Sequence, residues 1–160
     1  MKNTILMFSV FLGLILISCK KETIRETTTI QSQSNISTFT VYNTNWITSN
    51  QFQIATIMNS AITQDIVDNG AVLVYLKENS NWVSLPLTYY GNAAYSTTIR
   101  VDHNVGFFKV YRSNSDLTTP GNPGNQTYKC VLISGEQLAQ NPNVNLNSYK
   151  EVIEVLINDK

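Results

Sequence analysis

The stretch GAVLVYLKENSNWVSLPLTYY, residues 70–90, decides the fold. Ala71 to Leu76 is a nearly unbroken apolar run of strand length, closed by Lys77, Glu78, Asn79 and Ser80. Such a run fits a strand buried on both faces in the interior of a sheet, although periodicity alone does not separate it from a buried helix segment. Trp82 to Leu85 reads as a second short strand. Pro86 has no N–H to give to a ladder, so that strand ends there or lies at an edge.

Upstream the texture is that of strands. ISTFTVYN (36–43) sets Phe39 and Val41 against Thr38, Thr40 and Tyr42, a period of two that predicts a first strand. NWITSNQFQIATIM (45–58) predicts a turn near Trp46 and a second strand carrying Phe52 and Ile54, ending near Met58. TQDIVDNG (63–70) breaks the alternation. Thr63 suits a helix cap, Ile66 and Val67 an inward face, and Gly70 a left-handed terminus.

Downstream, YSTTIRV (95–101) and GFFKVYRS (106–113) read as a hairpin with Asp102-His103-Asn104 at its tip. NSDLTTPGNPGNQ (114–126) is a loop, and TYKCVLISG (127–135) the last strand. About seven modest strands with a turn every ten residues or so predict a mainly β fold, an antiparallel β-sandwich, with a small barrel as the alternative. Ser148 precedes Glu151 at capping-box spacing, and Tyr149, Val152, Ile153 and Leu156 share a helical face. A short C-terminal helix over 149–157 is therefore expected, with an eighth strand as the competing reading. The single domain spans 36–157.

The front of the chain carries different information. MKNTILMFSVFLGLILISCKKE opens with Lys2 and a nearly continuous apolar run from Thr4 to Ile17. That is the length of a signal h-region, short for a bilayer span. It ends Leu16-Ile17-Ser18-Cys19, which resembles a bacterial lipobox. The resemblance implies a lipoprotein signal peptide over 1–18 and lipidation of Cys19, so that membrane lipid is the first partner. An uncleaved anchor helix and a plain secreted protein are the alternatives. Residues 19–35, rich in Thr, Ser and Gln, read as a flexible tether.

The chain has 160 residues, enough for one domain. Charged residues make up 14 %, with 11 basic and 11 acidic. Zero net charge gives no steering field for nucleic acid, which excludes it as an expected partner.

The stretches GAVLVYLKENSNWVSLPLTYY, GFFKVYRSNSD (106–116) and YKCVLISG (128–135) together resemble a family of uncharacterised envelope lipoproteins and secreted proteins of Bacteroidetes. The likeness extends over Trp46 to Leu156, with Cys130 where a valine is typical. It implies a β-sandwich, an outer-membrane destination and no catalytic residues to transfer. Periplasmic or surface display stays open.

No catalytic constellation is legible. His103 is the sole histidine, and Asp102 beside it suits a turn. No GxSxG elbow, phosphate-cradling glycine loop or metal-ligand spacing occurs, so neither cofactor nor metal is expected. Cys130 sits in an apolar strand and reads as a small buried hydrophobe. Asp116 lacks the dense acidic spacing of a calcium loop. The aromatics are the candidates for binding. In Tyr89-Tyr90 and Phe107-Phe108 neighbours point to opposite faces. Trp46, Trp82, Tyr89 and Tyr95 are accordingly the candidate platform for a glycan or peptide, if they are exposed together. The leading expectation is a non-enzymatic, lipid-anchored envelope module, structural or interacting with an envelope protein or glycan.

Overall fold

The computed structural model describes residues 36–90 and 94–158. Cys19, the signal segment and the expected tether lie outside the described residues. The described residues are mainly β, with two antiparallel sheets and three short helices. The strands are β1 (Ile36–Val41), β2 (Ile47–Ser49), β3 (Phe52–Met58), β4 (Ala71–Glu78), β5 (Asn81–Ser84), β6 (Leu87–Tyr90), β7 (Ser96–Asn104), β8 (Phe107–Asn114) and β9 (Gln126–Ile133). The helices are α1 (Gln64–Asn69), α2 (Gly135–Gln140) and α3 (Tyr149–Asn158). One sheet has the order β1-β9-β4-β5 and the other β2-β3-β8-β7-β6.

Among the described residues nine strands stand where about seven are predicted. The two additions are the shortest pieces beside a break: β2 ahead of the Asn50 turn, and β6 after Pro86. At Pro86 the chain leaves the first sheet, where β5 is the edge, and enters the second as the edge strand β6.

The sheets pack face to face over one core. Phe39, Val74, Leu76, Tyr128, Cys130 and Leu132 from the first sheet meet Ala55, Ile57, Ile99, Phe108 and Val110 from the second. Phe39 and Phe108 bridge the sheets edge to face, with ring centroids 5.7 Å apart. Each of the buried Val, Leu, Ile and Phe side chains contributes about 1.5–3 kcal/mol of burial free energy.

The unbroken apolar run of β4 has a direct cause. Val72, Val74 and Leu76 point into the inter-sheet core, while Ala71, Leu73 and Tyr75 point to the other face. That outer face is itself covered, by α2, residues 141–148 and α3. Tyr75, Val131, Ile133 and Val152 form a second buried cluster there. The Tyr75 hydroxyl donates to the Leu146 carbonyl, and Lys129 Nζ donates to the Tyr149 hydroxyl at 2.6 Å. Helix α3 thus forms as expected, with half of the expected capping box. Ser148 Oγ accepts from the Glu151 amide, but the Glu151 carboxylate accepts from the Asn145 amide instead of closing on Ser148.

Three local expectations need correction. Gly70 ends α1 at φ −104°, not in the left-handed region. Its missing side chain serves close approach, since a Cβ there would overlap the Ile133 carbonyl. Asp102, His103 and Asn104 belong to β7, and the hairpin tip is Val105-Gly106, with Gly106 at φ +83°. The tip is fastened to the turn before α1, because the Asn59 amide donates to the Gly106 carbonyl and the Gly106 amide to that of Ile62. Helix α2 was not expected. Its Ser134-x-x-Gln137 capping box is complete, with both reciprocal bonds formed.

Candidate binding cleft

The inward row of β8 begins apolar, with Phe108 and Val110, and continues in phase as Arg112 and Asn114. Strand pairing carries this change across the second sheet. Arg112 stands opposite Gln53 of β3 and Ile99 of β7, and Asn114 stands opposite Thr97, itself opposite Tyr89 of β6. One end of the inter-sheet space is therefore polar.

Over that end lies the segment from Ser115 to Asn125. Asp116 Oδ1 accepts from the Thr118 amide and hydroxyl, which closes a local turn. The Asn114 amide group donates to Thr118 Oγ1. Asn122 Nδ2 donates to the Asn43 carbonyl, the Asn43 amide to Asn125 Oδ1, and the Thr119 hydroxyl to the Asn50 carbonyl. The loop is thus tied on both sides to the β1–β3 region.

Between loop and sheet is a cleft of about 230 Å³, walled by Tyr89, Tyr95, Thr97, Arg112, Asn114 and residues 120–123. Arg112 is only 8 % exposed. Its Nη1 donates to the Gly121 carbonyl at 2.8 Å and its Nη2 to the Tyr89 hydroxyl at 2.6 Å. Thr97 donates to Asn114 Oδ1. Two buried oxygens at this end of the fold, Gln53 Oε1 and the Tyr128 hydroxyl, have no hydrogen-bond partner among the described residues. Burial raises the Tyr128 phenol far above its usual range; the Arg112 cation acts on it in the opposite direction.

The four candidate aromatics fall in three places. Tyr89 and Tyr95 share the cleft. Trp46 is buried in the core, and its indole Nε1 donates to the Gly124 carbonyl, so it braces the loop from behind. Trp82 lies on the outer face of the first sheet. There Lys129 Nζ sits 4.2 Å from its ring centroid and 4.8 Å from that of Tyr149. Of the adjacent pairs, Tyr90 is 83 % exposed and Tyr89 36 %, and Phe108 is fully buried where Phe107 is partly buried.

Arg112 and Asn114 were not singled out in the sequence. Their signal is phase: in Phe108-x-Val110-x-Arg112-x-Asn114 the polar pair keeps the parity of the apolar pair.

Other polar groups do not converge. His103 is exposed on β7, and among the described residues no group of three His, Cys, Asp or Glu could hold a metal ion. Cys130 is fully buried, accepts from Asn59 Nδ2, and has its thiol pushed up to about 12 by burial. A shallower depression of about 420 Å³ lies between residues 140–144 and α3, with Glu151 and Glu154 on its wall. Among the described residues no helix is long and apolar enough to cross a membrane.

No family model matches this chain, and no curated protein or solved structure aligns with it significantly.

Proposed function

We propose that this chain is a lipid-anchored cell-envelope protein, destined for the outer membrane, whose sandwich is an interaction module and not an enzyme. The observation that carries the reading is Leu16-Ile17-Ser18-Cys19 closing an apolar run of signal length, with a polar stretch between it and the first strand at Ile36. Acyl chains on Cys19 would contribute roughly 0.8 kcal/mol per buried CH₂, and two or more chains make anchoring stable. The likeness to envelope lipoproteins of Bacteroidetes points the same way.

Labelling with radioactive palmitate in a lipoprotein-processing Gram-negative host tests the anchor. Wild type should take label and Cys19→Ala should not. Unlabelled wild type would overturn the reading.

A second reading, a glycan- or peptide-binding module, is favoured by one observation. Tyr89 and Tyr95 wall the same cleft, and aromatic walls with a few placed polar groups are common in small-ligand sites. Trp46 would support that cleft indirectly, and Trp82 would lie outside it.

A further inference from the structure

We propose that the cleft at the polar end of the sandwich binds a small carboxylate, seated on the Arg112 guanidinium between Tyr89 and Tyr95. The proposal rests on the interaction-module reading of the domain but not on the lipid anchor.

Arg112 is the starting point. A cation this far removed from water is costly unless it is paired and hydrogen-bonded. Its acceptors among the described residues are the Gly121 carbonyl and the Tyr89 hydroxyl, both neutral. The ion pairs among the described residues are Arg100 with Asp102 and Lys150 with Glu154, so no carboxylate of the domain serves Arg112. A guanidinium carries five N–H donors in a planar fork that matches a carboxylate. The two bonds use two of those five donors, and Arg112 lines the cleft.

The surroundings narrow the ligand. Arg112 is the one cationic side chain among the described lining residues, which suits a monoanion better than a phosphate dianion. Tyr89, Tyr95, Pro120 and Pro123 give flat apolar walls. The volume, about 230 Å³, lies below the roughly 300–1,000 Å³ of drug-sized pockets. It therefore fits one sugar ring or one short acyl unit, not an oligomer.

The carboxylate could come from a uronic acid or from the end of an acyl or peptide chain, and the probes separate these sources. The mature chain in detergent is titrated with D-galacturonate, its uncharged methyl ester, and N-acetyl-L-alanine, following the Tyr89 and Tyr95 ring resonances by NMR. At least one carboxylate should give saturable shifts, weakening with added salt, and the methyl ester should bind at least about tenfold more weakly than the free acid. Saturation by galacturonate alone identifies a sugar acid, by acetylalanine alone a chain end, and by both the shared group. Arg112→Lys, shown folded by circular dichroism, should lose at least about tenfold in affinity, because an ammonium does not reproduce the fork. If that variant fails to fold, the acid–ester comparison on wild type decides. No saturation at about 10 mM, where a Kd of about 1 mM would give nine-tenths occupancy, overturns the proposal. So does an ester that binds as tightly as the acid. Palmitate labelling is unaffected by either result, so the two failures are distinguishable.

Discussion

The indole of Trp46 donates from Nε1 to the carbonyl of Gly124 at 3.2 Å, joining the segment between β1 and β2 to the loop that walls the cleft. Trp46 is 7 % exposed, so the ring packs in the core while its one polar atom holds the loop. Trp46→Phe keeps much of the packing and removes the bond. It should cost about 1 kcal/mol, more where the lost volume leaves a cavity, and speed amide exchange in residues 119–125 selectively. Equal exchange in both proteins would show that other contacts hold the loop.

Gly70→Ala tests close approach without a positive φ. The added methyl meets the Ile133 carbonyl, which is backbone within β9 and cannot swing aside. Destabilisation of about 2 kcal/mol or more is expected in urea unfolding, as for other overpacked sites. A change under about 0.5 kcal/mol would contradict the close approach of Gly70 to the Ile133 carbonyl.

The helical cover of the first sheet is tested at Val152, fully buried against Tyr75, Val131 and Ile133. Val152→Ala removes two buried methyl groups and should cost about 2 kcal/mol. Val152→Asp places an unpaired charge there and should detach α3, exposing apolar sheet and raising dye binding. Tyr149→Phe, which loses only the Lys129 bond, should cost about 1 kcal/mol.

Alkaline pH should destabilise the fold. Burial, helped by Tyr149, raises the Tyr75 phenol from 10.0 to about 12, and burial raises the Cys130 thiol from 9.0 to about 12. Tyr128 is raised as well. Below the unfolded values both states hold these protons and the contribution is complete. Above them the unfolded chain releases protons that the folded chain keeps, so stability falls as pH climbs toward the folded values. Urea midpoints between pH 8 and about pH 11 should decline, and Cys130→Val should flatten the earliest part of the decline. The native thiol should resist thiol reagents until the chain unfolds.

The sandwich is legible in the sequence because its strands announce themselves by period. Phe39 and Val41 and the run from Ala71 to Leu76 each mark a strand that the structure contains. Phe52 and Ile54 mark β3 but mislead on its phase, since Gln53, Ala55 and Ile57 are the buried row. Helix α3 is legible from Ser148 and the spacing of Tyr149, Val152 and Ile153. Short edge pieces are not, since β2 has three exposed residues and no alternation to read. Gly70 illustrates a different limit. Its local sequence suits a helix end of the common kind, and the reason for glycine lies 63 positions away at Ile133. The cleft was half legible: Tyr89 and Tyr95 could be named as aromatics, but their meeting with Arg112 depends on β6, β7 and β8 lying side by side. Trp46 and Trp82 look alike in sequence, and the two faces of the first sheet separate them.

Envelope anchoring stands or falls with the covalent state of Cys19. The direct measurement is the intact mass and N-terminal peptide of the mature protein extracted from membranes of a lipoprotein-processing host. The expected chain begins at Cys19 and is heavier than its sequence by a diacylglyceryl group, with or without a further acyl chain on the amine. A chain that retains residues 1–18, or one cut elsewhere with an unmodified N-terminus, would contradict that anchoring.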